Sequence, residues 1–491
     1  MRIFSGKLAL LFLGLLIVLC RFCATGRAEE KPKERSVVKP AAESSNIVAK
    51  ISDYVITREE LEKRLLMELH PDDYEDYNER AEPVDAKTVL MKMIAEKAMA
   101  MEARKEGYLE EEMTHASIKR YRESRLVNLL LQTRLQGKLT VTEREIDEKM
   151  KAEPKLDRAR AEAMIRKVKV RMLIDQYYRQ LYQKFHVKKL SDNFPKAAQI
   201  HQRLLLRPKA PRNIPAIRII QIRDDLTPEE KNMVLATYDY GKITLKDWFD
   251  TLCESAPPSR PRDLDTVKGV ERLLDRTLGM PLFVSEAKLA GLDKDKNLLK
   301  EVRDYEDRRL LGQAKLAKYK EVKQPATEQI VAYFNKNKEV FRTNRTLKID
   351  TIRCQDLETA RKAKAELDGG KDFESVRQEY SLEKKSRAFS TRPSSEGMFW
   401  EDLWKGDPNE IVGPVKGFYR AGLKWRIVKI LEKNPGTVKE YSSDMENRVK
   451  SRMVDEQRNT LLEKYSKELL GKYPYEIYAD RIRDINPLDI P

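Results

Sequence analysis

Apolar residues recur at every third or fourth position along most of the chain, a spacing that predicts long amphipathic helices. A shorter region differs, because residues 347–354 alternate between apolar and polar positions as a half-buried strand does. Helices over 357–367 and 373–380 and strands over 410–415 and 425–431 are predicted to follow it. The predicted fold class is therefore α+β, mainly α, with one small antiparallel sheet. The predicted N-terminal helices are Glu59–Leu69, Ala86–Glu106, Glu111–Leu135, Glu143–Lys149 and Ala161–Phe185.

A ten-residue pattern occurs twice, as Val48–Thr57 and again as Leu235–Thr244. Each copy predicts a short strand and a turn that end at the N-terminus of a helix. Each threonine is followed three residues later by an acid, which is the spacing of a capping box. The predicted boxes are Thr57 with Glu60 and Thr244 with Asp247.

Two further matches follow in the same order, which predicts a duplicated helical module. One is Glu-Ala-x-x-x-Gly, at 102–107 and 286–291, where packing and a C-terminal glycine explain the pattern. The other is Val-Lys-x-Arg-Met, at 168–172 and 449–453. From Glu102 to Val168 the chain advances 66 residues, and from Glu286 to Val449 it advances 163. The difference, 97 residues, predicts a small domain inserted in a loop of the second copy.

The N-terminus has the pattern of an export signal. Two cations precede the apolar run Leu8–Cys20, which is 13 residues long and shorter than a membrane span. Gly26-Arg27-Ala28 offers small residues for cleavage, so the mature chain is predicted to begin at Glu29. An uncleaved anchor and a lipoprotein, through Cys20 or Cys23, are the alternatives.

The charge balance is basic, with 96 Lys and Arg against 80 Asp and Glu. The two signs are interleaved along the helices and no aromatic residues punctuate a basic strip, so nucleic acid is not an expected partner. The excess of basic residues is expected to attract acidic clients or an anionic membrane surface weakly. No Gly-rich phosphate loop occurs, and no cofactor or metal is expected. Whether Cys253 and Cys354 pair stays open.

Four short motifs occur in the region predicted to form the small sheet and its helices. They are Gly370-Lys-Asp372-Phe373, Tyr380-Ser381, Gly413-Pro414-Val415 and Arg426-Ile-Val-Lys-Ile430. These motifs resemble the parvulin (rotamase) domains of exported chaperones of the SurA/PpiD type. The two strand-and-cap repeats resemble the start of the helical chaperone module of that family. The resemblance implies a helical chaperone that holds unfolded exported polypeptides and a parvulin-like domain.

The chain departs from this family at the positions that matter for catalysis. Thr351 and Arg426 stand where the family has its two histidines, and Glu383 stands where it has a cysteine or an aspartate. A segment that lines the proline pocket is missing. The resemblance therefore implies weak or absent prolyl isomerase activity, and Arg426 is interpreted as a surface residue of the last strand. The chain's histidines, all outside 347–433, are His70, His115, His186 and His201.

Aromatic residues cluster in the predicted insert. They are expected either to form a platform for client peptides or to fill the space of the missing pocket segment. The candidate client-binding residues are Met398, Phe399, Trp400, Trp404 and Trp425.

The predicted domain organisation has seven segments. It consists of a signal peptide (1–28), a tether (29–46), a first helical module (47–205), a connector (206–233), the first part of a second module (234–345), a degenerate parvulin-like domain (346–433) and the C-terminal helices of the second module (434–491). The expected function is that of an exported, periplasmic or envelope holdase. The alternatives are an active peptidyl-prolyl isomerase and a non-enzymatic envelope scaffold.

Cleavage of the signal is testable by mass spectrometry of the exported protein. Because the run Leu8–Cys20 is too short to span a membrane comfortably, the N-terminus should be at or near Glu29. An intact Met1 in the membrane fraction would indicate an anchor, and a lipidated Cys20 or Cys23 a lipoprotein.

Overall fold

The computed structural model describes residues 46–69, 84–206, 217–256, 259–385, 387–420 and 422–490. The predicted signal peptide, and all of the predicted tether except its last residue, lie outside these ranges. In chain order the elements are β1 Ile47–Ile51, β2 Tyr54–Thr57, α1 Arg58–Leu69, α2 Ala86–Lys105, α3 Glu112–Leu135, α4 Glu143–Ala152, α5 Arg158–Lys184, β3 Lys188–Lys189, α6 Phe194–Leu205, α7 Ile219–Asp225, α8 Pro228–Asn232, β4 Val234–Tyr238, β5 Gly241–Thr244, α9 Leu245–Glu254, α10 Val267–Leu289, α11 Lys296–Tyr319, α12 Thr327–Lys336, β6 Thr346–Cys354, α13 Leu357–Asp368, α14 Phe373–Tyr380, β7 Phe389–Thr391, α15 Pro393–Glu396, α16 Trp400–Trp404, β8 Ile411–Tyr419, β9 Gly422–Asn434, α17 Ser443–Lys472 and β10 Tyr475–Ile477.

The predicted fold class is confirmed, since helices predominate and the sheets of the described residues are small and antiparallel. The N-terminal helices predicted from periodicity are all present. Two short helices, α7 and α8, lie in the stretch predicted as a connector. None of the helices in the described ranges is long and apolar enough to cross a membrane.

The two repeated patterns form the same hairpin. In β1 and β2, Ala49 lies opposite Ile56, with a register shift just before it. In β4 and β5, Ala236 lies opposite Ile243, with the shift at the same place. Both predicted capping boxes are present, for example Thr57 N–H to Glu60 Oε2 at 3.0 Å and Thr244 N–H to Asp247 Oδ2 at 2.8 Å.

Each hairpin is completed by a third strand that belongs to the other repeat. The strand after the first repeat's long helix, β3, pairs with β4 of the second repeat. The strand after the second repeat's long helix, β10, pairs with β1 of the first. The hydrogen bonds correspond, because Leu190 N–H donates to Leu235 O and Tyr478 N–H donates to Val48 O, both at 2.9 Å. The repeats therefore exchange their C-terminal helix and strand.

A buried glutamate anchors each exchanged helix. Glu102, 8% exposed, accepts from Lys472 Nζ at 2.6 Å and from Tyr473 Oη at 2.7 Å. Glu286, 5% exposed, accepts from Lys184 Nζ at 2.5 Å. These are the glutamates of the Glu-Ala-x-x-x-Gly match, which packing alone does not explain. The glycines of that match end their helices with positive φ, as predicted.

The Val-Lys-x-Arg-Met match between the two long helices does not align the residues that form these lysine–glutamate contacts. Lys184 and Lys472 fill equivalent positions and are 288 residues apart, whereas Val168 and Val449 are 281 residues apart. The predicted alignment is thus displaced by seven residues, which is about two helical turns. Amphipathic helices repeat their pattern at this interval, so sequence alone does not distinguish the two registers.

The chain divides into two compact units, and these cut across the predicted modules. Among the described residues, one unit comprises 110–306 and the other comprises 46–109 with 307–490. Exchange of the terminal helices produces this division. The module boundaries 47–205 and 234–345 stay predictions about the repeat in sequence.

The first unit has one apolar core around α10, which packs against α3, α5, α6 and α9. Its largest buried side chains include Trp248, Phe185, Phe194, Phe249 and Phe283. Cys253 of this unit donates its thiol to Ile217 O, and neither Cys253 nor Cys354 is in a disulfide.

The second unit contains a four-stranded sheet of order β7-β6-β9-β8. Helices α13 and α14 cover one face, through Ile352, Cys354 and Ile427. Residues Leu347, Ile349, Val428 and Ile430 point to the other face, where they meet Trp400 and Leu403. Outside the sheet, α12 packs against the start of α17 through Ile330, Phe334, Met445 and Val449.

Replacing Glu102 should loosen the exchanged strand selectively. The Glu102→Gln variant keeps the shape but leaves the Lys472 ammonium without its anion, which removes about 1.5 kcal/mol or more. Hydrogen exchange of the peptide containing β10 should become about tenfold faster, while β3 keeps its protection. The matched Glu286→Gln variant should have the opposite pattern, and equal loosening of both strands by either variant would contradict this assignment.

The same contact should make β10 sensitive to acid. The Lys472 ammonium holds the pKa of Glu102 below its ordinary value of 4.5. A lowered folded-state pKa contributes stability that is present above the unfolded value and is lost as pH falls through the folded value. Protection of β10, corrected for intrinsic exchange, should therefore decline below about pH 4.5. The Glu102→Gln variant should lack this decline.

Candidate functional site

The candidate residues lie on the two central strands of the four-stranded sheet. Thr351 in β6 lies opposite Val428 in β9, and Arg353 lies opposite Arg426. Because side chains alternate along a strand, Thr351, Arg353 and Arg426 share the face that Leu347 and Val428 occupy. This is the face away from α13 and α14.

Thr351 is completely buried, and its hydroxyl is not suited to act as an acid, a base or a charged group. Its exposure is 0%, and its hydroxyl has no hydrogen-bond partner among the described residues. A neutral hydroxyl neither titrates near neutral pH nor replaces an imidazole.

Arg426 is buried in an ion pair, so its interpretation as a surface residue was wrong. It is 2% exposed, and its guanidinium lies 2.5 Å from Glu396 Oε2. The other carboxylate oxygen of Glu396 accepts from Thr391 Oγ1 at 2.6 Å. A Cβ at Gly417 would lie 2.2 Å from the guanidinium carbon, so this glycine leaves the space that Arg426 fills.

Arg353 has its own carboxylate. Its guanidinium donates to Glu383 Oε2 at 2.9 Å and lies 5.8 Å from the Phe389 ring centroid and 5.6 Å from that of Tyr419. Like charges directly opposite each other on neighbouring strands are destabilising. The segment between α14 and α16 supplies an acid to each arginine, which offsets this repulsion.

Some of the candidate client-binding residues are buried in the core, and others are partly exposed. Trp400 is 2% exposed and stacks on Trp404 at 5.3 Å, and Phe399 is 5% exposed and lies 5.4 Å from the Phe418 ring. The Arg345 guanidinium lies over both tryptophan rings, at 5.8 and 5.2 Å. Phe399 and Trp400 thus fill the core, and their burial argues against a client platform at these two positions. Met398, Trp404 and Trp425 are half-buried.

Glu396 and Arg353 were not among the predicted site residues. Glu396 lies 30 residues before Arg426, in a polar segment without periodicity. Nothing in the local sequence distinguishes it from the exposed acids around it. No group of His, Cys, Asp or Glu side chains in the described ranges is arranged to hold a metal ion.

A second candidate surface is an exposed apolar stripe on α5. Met164, Val168 and Met172 follow one another at four-residue intervals and are 41, 57 and 66% exposed. Residues at this spacing lie on one face of a helix. Around them, α5 carries eight basic and two acidic residues. The stripe will be called the α5 stripe.

Comparison with known proteins gives matches among solved structures only. No family model and no curated protein matches the chain. One matched structure, from Campylobacter jejuni, is described as one of two structurally related SurA-like chaperones, PEB4 and Cj1289. It has 14% identity and a TM-score of 0.25 and covers 49% of this chain and 98% of that one.

Foldase protein PrsA from Streptococcus pneumoniae matches with 15% identity and a TM-score of 0.25, over 42% of this chain and 76% of that one. PrsA from Bacillus subtilis matches with 17% identity and a TM-score of 0.15, over 38% and 68%. The chain is thus similar to SurA-like chaperones, which its sequence predicted, and also to PrsA. TM-scores this low assign neither an activity nor a site residue.

The buried ion pair of Arg426 should be structural. The Glu396→Ala variant leaves the arginine buried without its anion, which should lower the free energy of unfolding by about 3 kcal/mol. Replacing both residues by methionine should recover most of that loss, because an apolar pair has no charge to desolvate. Denaturant unfolding can be followed by tryptophan fluorescence, since Trp400, Trp404 and Trp425 lie in this region.

The control for this experiment is Glu383→Ala. Glu383 forms a more exposed pair with Arg353, so its loss should lower stability by less than about 1 kcal/mol. A Glu396→Ala variant as stable as this control would contradict a structural role.

Proposed function

We propose that this protein is an exported chaperone that holds unfolded polypeptides without ATP, and that its parvulin-like sheet has no efficient prolyl isomerase activity. The observation that carries the proposal is the α5 stripe. Met164, Val168 and Met172 place apolar side chains in water on a helix that carries a strong excess of cations. An exposed contiguous apolar surface of this kind indicates an interaction site.

The composition of the α5 stripe suits many different clients. Methionine is unbranched and polarizable, so it adapts to irregular apolar partners. Flanking cations favour clients that carry acidic residues, and they keep the stripe itself soluble. Weak contacts repeated along an unfolded chain add up to useful affinity without a shaped pocket.

The chemistry at Thr351 and Arg426 argues against catalysis. Rotation about a prolyl bond has a barrier of about 20 kcal/mol, and a catalyst must stabilise the twisted amide more than the planar one. Polar groups free to turn towards the substrate would be required. Here Arg426 is engaged by Glu396, and Thr351 is beneath the surface.

The N-terminal sequence and the kind of protein matched support the proposed site of action. A signal over residues 1–28 would deliver the chain to the periplasm or cell envelope. PEB4 and Cj1289 are described as SurA-like chaperones, and PrsA as a foldase, which supports placing this chain among exported folding factors. Unfolded exported proteins would be its clients, with peripheral attraction to an anionic membrane as a secondary interaction.

Disruption of the α5 stripe should weaken the holding of unfolded clients. The triple variant Met164→Gln, Val168→Gln, Met172→Gln keeps helix propensity but removes the apolar surface. We expect at least about a fivefold higher protein concentration to be needed to suppress aggregation of an unfolded client, measured by light scattering. The control replaces three scattered exposed residues, Met67, Leu289 and Leu316, by glutamine. Equal effects of the two triple variants would refute the proposal.

The isomerase alternative has a separate test. A protease-coupled assay on a proline tetrapeptide should give a rate barely above the uncatalysed one, because Arg426 is engaged by Glu396 and Thr351 is buried. Robust activity lost in Arg426→Ala or Glu383→Ala would reveal a different catalytic set on this sheet.

A further inference from the structure

An open groove lies beside Arg353 on the four-stranded sheet. It has a volume of about 840 Å³ and is lined by Arg353, Glu383, Lys384, Lys385, Arg387 and Phe389. It contains four cations and one carboxylate, so it carries a net charge of +3. We call it the basic groove.

The charges of the basic groove are poorly neutralised by the protein itself. Glu383, its one acid, already accepts from Arg353 at 2.9 Å. Lys384 donates to the backbone oxygen of Glu379 at 3.1 Å, which leaves its charge without an anion. Within the described part of the chain, Lys385 and Arg387 form no ion pair, although most basic residues on nearby helices do.

Arg353 belongs both to the sheet and to the basic groove. Its Nη1 donates to Glu383 Oε2 at 2.9 Å, so its charge is neutralised within the protein. The exposed cations of the basic groove, which a ligand can reach, are Lys384, Lys385 and Arg387.

We infer that the basic groove binds an acidic, extended segment of a client polypeptide, with its carboxylates at Lys385 and Arg387 and an apolar side chain against Phe389. This inference rests on the proposed function and deepens it, because it names the class of segment that is recognised. Recognition would be by charge, where prolyl isomerases of the resembled family recognise proline.

The shape of the groove favours a polypeptide over a small anion. Its volume is far larger than an inorganic anion needs, and it is wide open to solvent. Phe389 begins β7, which is an edge strand of the sheet, and edge strands can accept an extended chain. Lys384, Lys385 and Arg387 precede this strand in the chain, so acidic residues along a peptide paired with it would find several cations nearby.

The test uses full-length protein and two short fluorescein-labelled peptides. One contains Asp and Glu between Leu and Phe residues, and the other has Asn and Gln in place of the acids. Fluorescence anisotropy should show binding of the acidic peptide that is at least about tenfold tighter and that weakens as salt rises. The variant Lys385→Glu, Arg387→Glu should lose this preference.

A matched charge control separates a local effect from a change in total charge. Lys405 and Lys439 are exposed and outside the basic groove, so Lys405→Glu with Lys439→Glu changes the net charge equally. Retention of acidic-peptide binding by this control, together with its loss in the groove variant, would support the inference. Equal loss in both would attribute binding to net charge and overturn it.

The result is distinguishable from failure of the proposed function. The groove variant should still suppress aggregation of a client that lacks acidic clusters, because the α5 stripe is unchanged. If both peptides bind alike while aggregation is suppressed, the inference fails and the holdase stands. Binding of phosphatidylglycerol vesicles that is lost in the groove variant, without peptide binding, would replace a client segment by a membrane surface.

Discussion

The exchange of a helix and a strand between the two repeats is the constraint on which the rest of the structure depends. Each hairpin takes its third strand from the other repeat. Strand β10 of the second repeat pairs with the first hairpin, and β3 of the first repeat pairs with the second hairpin. A two-stranded hairpin is marginally stable by itself, so the third strand is needed. The chain reaches a stable state only when its far ends have come together, with Val48 and Tyr478 joined by a backbone hydrogen bond.

The same exchange explains why two charged residues are buried at equivalent places. Glu102 and Glu286 each accept a lysine from the arriving helix. A buried carboxylate is costly when unpaired, so these glutamates penalise any arrangement in which the helix is absent or shifted. Apolar packing along a long helix tolerates displacement by a heptad, whereas one buried ion pair does not.

The face of the four-stranded sheet that carries Thr351 and Arg426 is part of the core. The two central strands place Arg353 and Arg426 side by side, and Glu383 and Glu396 neutralise them. Trp400 packs beneath this pair of strands, where an apolar side chain stabilises the sheet. What remains open is the basic groove at its margin, whose chemistry is that of charge recognition.

The sequence by itself determined the N-terminal helices, the two capped hairpins and three strands of the four-stranded sheet, because each depends on residues close together in the chain. It did not determine that the repeats exchange their ends, since two antiparallel partners with the same alternation fit either hairpin equally well. Nor did it distinguish a buried Arg426 from an exposed one, or single out Glu396 among its polar neighbours. Burial and pairing at these positions are set by residues 30 or more positions away, and only the tertiary structure brings those residues into contact.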